Sequence, residues 1–303
     1  MDIAVSERQP VQSRVTSSQR QQMVWVGLGI ALAWWLVGFI MFNDPNIQGK
    51  LLYIWGDQQW TFMKADQHLL DPYAIVGYLN PPWVIVILAP FAMMPFTWSM
   101  LAQMILYFVG MALLLAKYGG SMRTLVLVSL SPLALNHMIE LNIDWLVVWA
   151  LLVPPAYSGP LMLAKPQLVL GYLVGFKWRE LVRWVLVMVV LALVTLLIWG
   201  DWPLAWLANI GSDLRPLPNT APNVILGWGP SLLIGIPFAF YAWRKRDSIL
   251  GIFAGMFFMP YIASYSFLLY FGLFLARWRK AGLILWMASW IAFVALVVML
   301  RAM

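Results

Sequence analysis

Residues 23–42 read MVWVGLGIALAWWLVGFIMF, twenty positions without a charge. About 20 apolar residues are what an α-helix needs to span the hydrocarbon core of a bilayer. A secretory signal would have a shorter apolar region and a small-residue cleavage site. This run instead ends in Asn43-Asp44-Pro45 and follows a polar tail, residues 1–22, that carries Arg8, Arg14 and Arg20. It reads as an uncleaved first helix with its N-terminus on the cytoplasmic side. Moving outward, similar runs recur at 81–97, 98–116, 124–139, 143–157, 160–176, 183–200, 224–243, 248–261, 263–276 and 282–301. The pattern predicts an all-α polytopic membrane protein of about eleven segments, with nine as the lower bound, forming one transmembrane domain over residues 23–303.

Composition agrees. Of 303 residues 63% are hydrophobic and 10% charged, whereas soluble domains carry roughly 25% charged residues. Many of the nineteen tryptophans lie close to charged pieces, as in interfacial aromatic belts. Absent cysteine excludes a disulfide framework. With only His68 and His137, a histidine metal centre or haem is not expected, and no metal ligand set is assigned. The net charge of +7 is scattered at segment ends, so it reads as topology rather than nucleic-acid binding.

Charge placement orients the segments. Starting inside, the cytoplasmic pieces collect Arg8, Arg14, Arg20, Lys177, Arg179, Arg183, Arg244, Lys245, Arg246, Arg277, Arg279 and Lys280, against outer Lys50, Lys64, Lys117, Arg123, Arg215 and Arg301. The bias follows the positive-inside rule. Arg244-Lys245-Arg246 and Arg277-Trp278-Arg279-Lys280 should share a side, and Pro260-Tyr261 interrupts the piece between them. Two short helices meeting at an outward break satisfy both facts.

Two outer loops are long enough to imply a function. Residues 43–80 hold Asp44, Asp57, Asp66 and Asp71, and residues 201–223 hold Asp201 and Asp213. Leu51, Leu52, Tyr53, Ile54, Trp55, Trp60, Phe62, Leu69 and Leu70 give the first loop amphipathic spacing, which predicts one or two interfacial helices. Pro216, Pro218 and Pro222 predict a non-helical second loop.

The first loop reads Gly56-Asp57-Gln58-Gln59-Trp60 and ends in Asp71-Pro72-Tyr73. It leads through Tyr78-Leu79-Asn80-Pro81-Pro82-Trp83 into the next apolar run. With Glu140-Leu141-Asn142, Lys165-Pro166-Gln167 and Pro260-Tyr261, it resembles glycosyltransferase family 87 of the GT-C superfamily over most of residues 23–280. Departures are Asn80 before Pro-Pro, Glu140 where the family tends to Gln, and Ser264-Tyr265-Ser266 without an acidic or histidine residue.

The resemblance implies a GT-C-like bundle that uses a polyprenyl-phosphate sugar and a glycolipid or glycan acceptor, with no cofactor and no nucleic-acid partner. It implies a bacterial plasma membrane with the site on the outer face, and mannose as the default sugar. By the family's spacing Asp57 is the candidate base, and the 43–80 loop is the catalytic loop. A positioned carboxylate contributes about 10²- to 10⁴-fold as general base.

Lys165 lies inside an apolar segment, where a lysine costs about 2.5–3.5 kcal/mol on insertion scales. It is the candidate for the donor phosphate, with Arg215 as a second. Asp66, Tyr73, Asn80, Gln167 and Tyr261 are candidates to bind substrate. A polytopic transporter or flippase is the alternative, favoured by intramembrane Lys165 and Glu140. A non-catalytic GT-C-like subunit is another. Segments 124–139 and 143–157 read either as full crossings, which puts the 140–143 turn at the inner face, or as half-helices.

Overall fold

A computed structural model describes residues 15–49, 53–212 and 219–302. Among them the architecture is helical throughout and forms no strand. In chain order the helices are α1 (Ser17–Asn43), α2 (Gly56–Trp60), α3 (Trp83–Ala92), α4 (Phe96–Lys117), α5 (Met122–Ser129), α6 (Pro132–Glu140), α7 (Asp144–Ala150) and α8 (Gly159–Met162). They continue as α9 (Pro166–Val169), α10 (Trp178–Trp199), α11 (Trp202–Ser212), α12 (Pro222–Leu226), α13 (Trp228–Lys245), α14 (Ser248–Gly255), α15 (Phe267–Arg277) and α16 (Arg279–Ala302).

Four of these, α1, α4, α10 and α16, are long and apolar enough to cross a membrane, and a fifth passage is formed if α5 and α6 count as one span bent by 63°. α10 and the membrane-capable part of α16 are each only 6% buried. Leu186, Val190, Leu193 and Leu197 stand bare on α10, a surface suited to lipid.

The first helix starts six residues earlier than its apolar run. Thr16 and Gln19 form a capping box, each side chain accepting the other's backbone N–H. α1 then packs against α4, and Gly27 lets the two backbones meet: a Cβ there would lie 2.8 Å from the Phe108 carbonyl oxygen.

Several expectations from the sequence change here. Each of the eleven runs contains helix, but most are shorter than a membrane crossing. α3 has 10 residues, about 15 Å of rise against roughly 30 Å of hydrocarbon. Pro82 precedes it, Pro90 lies within it and Pro95 precedes α4. Phe96, at the start of α4, packs against Phe42 at the end of α1 and against Trp55 of the first loop. Residues 81–97 therefore dip inward and return to the same end instead of crossing.

The later turns change ends accordingly. Arg279 donates to the Gly119 carbonyl, and Arg277 pairs with Asp247 at 2.5 Å. The turn between Lys117 and Arg123, expected outside, thus belongs to the basic end. The 140–143 turn, expected at the inner face in the full-crossing reading, lies at the opposite end with the first loop.

The α5–α6 break is made by Ser131, whose hydroxyl accepts from Ala134 N, and by Pro132 at the first helical position. Backbone groups freed inside a bilayer need partners. Indole N–H groups supply them: Trp286 donates to Leu127, Trp34 to Ser129 and Trp290 to Leu130. These tryptophans satisfy broken backbone within the bundle.

Among its described residues the first loop holds one α-helix of five residues. It folds into α2 and short 3-10 turns at Phe62–Lys64 and Pro72–Ala74. Ile54 and Trp55 are fully buried while Leu69 and Leu70 remain exposed; Leu51 and Leu52 lie outside the described residues. In the second loop Pro222 opens α12. Asn219 and Thr220 bind the backbone of Pro260 and Ile262, which straps this loop to the break between α14 and α15.

Gly171 and Gly251 cross backbone to backbone. A Cβ on Gly251 would sit 2.2 Å from the Gly171 carbonyl oxygen. Gly251→Ala is expected to cost about 1–3 kcal/mol through overpacking. Thermal unfolding in detergent checks this, with Gly29→Ala, which meets no atom within 4 Å, as the control that does not lower stability.

Candidate functional site

α2 is locked in place before Asp57 is presented. Trp55 takes a left-handed conformation (φ 59°), and its N–H donates to the Ile139 carbonyl at 2.7 Å. Gln58, fully buried, donates to the Leu141 carbonyl at 2.7 Å and exchanges reciprocal 3.0 Å hydrogen bonds with Gln103 of α4. Trp145 donates to the same Gln103 oxygen at 3.2 Å. A buried amide pair with its polar atoms matched is rigid, so the rotation of α2 is set.

Across from Asp57, α6 ends at Leu141 in a left-handed cap (φ 37°), and Asn142 follows. Its Oδ1 accepts the Ile143 N–H at 2.7 Å. That bond orients the amide, leaving Nδ2 to donate to Asp57 Oδ2 at 2.5 Å and to the Tyr265 hydroxyl at 2.9 Å. On the other side of Tyr265, Lys165 Nζ lies 3.4 Å from the same hydroxyl, 4.7 Å from the ring centroid and 2.5 Å from Asp144 Oδ1.

Lys165 is 7% exposed and Asp144 fully buried. The second carboxylate oxygen of Asp144 has no hydrogen-bond partner. Lys165 stands at the break before Pro166, where the chain between α8 and α9 leaves helical geometry.

Three half-buried groups border this floor. Asp57 retains solvent contact. Glu140 lies within electrostatic reach of Asp57 and Lys165. Tyr261, in the break between α14 and α15, lies within electrostatic reach of Asp57, Asp144 and Glu140.

Of the residues expected from the sequence, the structure brings Asp57, Lys165 and Tyr261 together. Asp66 is half-buried in the first loop, with one carboxylate oxygen unpartnered. Tyr73 donates to the Asn80 carbonyl at 3.3 Å and meets Tyr78 edge-on. Asn80 is buried beside this turn, and Gln167 contributes its carbonyl to Tyr270. Asp66, Tyr73, Asn80 and Gln167 share no hydrogen bond with the Asp57–Lys165 network. Arg215 lies outside the described residues.

Asp144 and Tyr265 were not singled out as site residues. Asp144 had a readable signal, a lone acid in the apolar run 143–157 that a buried lysine elsewhere could match. Tyr265 had none. Glu140, which with Lys165 favours the transporter alternative, makes no side-chain hydrogen bond among the described residues. No group of three or more His, Asp or Glu side chains among them is placed to hold a metal ion.

The chain matches no family model, no curated protein and no solved structure.

Proposed function

We propose that this protein is a membrane glycosyltransferase of the GT-C type, with nine or ten passages and its site at the end away from the basic clusters. It moves a sugar, mannose by default, from a polyprenyl-phosphate donor to a lipid or glycan acceptor. One observation carries the reading. A carboxylate from the first loop and an ammonium from a broken helix, 108 positions apart, are joined through Asn142 and Tyr265.

The chemistry follows from those groups. Asp57 takes the proton of the acceptor hydroxyl as that oxygen attacks the anomeric carbon. The anomeric carbon–oxygen bond to phosphate breaks, and its electron pair leaves with the phosphate. Lys165 compensates the charge that develops there. Asn142 holds one oxygen of Asp57, which leaves the other for the acceptor. Asp144 keeps Lys165 in place beforehand.

The test is transfer from polyprenyl-phosphate mannose to a panel of glycolipid acceptors by the detergent-purified protein, with donor binding measured alongside. Transfer is expected to persist in excess EDTA, and loss that added divalent metal restores would overturn metal-independent catalysis. The buried Lys165–Asp144 pair also favours a second reading, a transporter or flippase with a polar path through the bundle. Donor movement across proteoliposomes without turnover would select it.

A further inference from the structure

Tyr265 stands between the two groups on which the proposed reaction depends. Its hydroxyl oxygen faces two donors, Asn142 Nδ2 at 2.9 Å and Lys165 Nζ at 3.4 Å. A phenol has one proton to give and two lone pairs. Both lone pairs are occupied, and no acceptor among the described residues takes the proton. A tyrosine hydroxyl keeps its proton near neutral pH. Lys165 over the ring face and the 3-10 turn Ser264–Ser266 fix where the hydroxyl stands.

We infer that Tyr265 is a ligand-contacting residue whose hydroxyl donates its proton to a phosphate oxygen of the lipid-linked sugar. The inference rests on the glycosyltransferase reading and names a recognition element of the same site. Lys165 beside that hydroxyl matches an anionic oxygen. The nearby Asp57, Glu140 and Asp144 carboxylates repel excess negative charge, so a phosphodiester with a single charge fits better than a dianionic monoester. Tyr265 thus orients the phosphate against Lys165, with the anomeric carbon turned toward Asp57.

The experiment titrates short-chain polyprenyl-phosphate mannose into the full-length protein in detergent, comparing wild type, Tyr265→Phe and a protein carrying 3-fluorotyrosine at position 265. A hydrogen bond to a charged group is worth about 1.5–3 kcal/mol, so Tyr265→Phe should weaken binding about 10- to 100-fold. Fluorotyrosine keeps the shape and makes the hydroxyl a stronger donor, so its affinity should equal or exceed wild type. A merely structural tyrosine would lower the ligand-free melting temperature in the Phe variant and leave donor affinity alone.

Unchanged affinity in Tyr265→Phe, with wild type binding, overturns this inference and spares the function. If the Phe variant does not fold, weaker binding by the fluorotyrosine protein overturns it instead. A wild type that does not bind the donor overturns both.

Discussion

Asp57→Asn is expected to abolish sugar transfer while the protein keeps its fold. Asparagine has the shape of aspartate and still offers an oxygen to Asn142 Nδ2, so the bond now made by Asp57 Oδ2 survives. The buried Gln58–Gln103 pair that sets α2 is untouched. What is lost is the capacity to take a proton, worth about 10²- to 10⁴-fold in rate. The measurement is turnover of polyprenyl-phosphate mannose beside melting temperature and donor binding. Transfer at the wild-type rate removes Asp57 from the role of base. Loss of transfer together with loss of the folded state would return it to a structural part.

Lys165→Met is expected to cause the largest loss of stability. The substitution strips the ion partner from Asp144, which is fully buried and already has one unpartnered oxygen. Removing one member of a buried pair costs about 3–5 kcal/mol, because an uncompensated charge remains, whereas replacing both is far milder. The double variant Lys165→Met/Asp144→Asn should therefore recover most of the lost stability in detergent unfolding. It should not recover donor affinity, since the positive charge for the phosphate is still missing. Wild-type donor binding by the double variant would show that Lys165 has a structural task only. A single variant as stable as wild type would show that water reaches Asp144.

The site was partly legible in the chain. Asp57 stood out by the spacing of the family the chain resembles, and Lys165 because it carries a charge inside an apolar run. Their partners were harder to see. Asn142 and Tyr265 are ordinary residues by composition and gain importance only through the directions in which their polar atoms point. Asp144 was masked by the expected topology, which placed it at an inner helix end. Arg215 lies outside the described residues, and the bonding of Asp66, Tyr73, Asn80 and Gln167 ties them to other parts of the molecule.

Hydrophobic composition, run length and the sign of the charges indicate by themselves a helical membrane protein whose cations favour one end. Those quantities depend on local transfer free energies, which add along the chain. The hairpin between the two basic clusters was readable for the same reason: α14 and α15 meet at the Pro260-Tyr261 break, and Arg277 reaches Asp247.

Only the tertiary structure decided which apolar runs reach across. The return of residues 81–97 depends on Phe96 packing with Phe42 and Trp55. The α5–α6 bend depends on indole donors more than 90 positions away. An apolar residue has the same transfer energy in a crossing helix and in a re-entrant one. The choice is made by long-range contacts and by partners for the backbone groups that each break exposes, and a run of hydropathy carries neither.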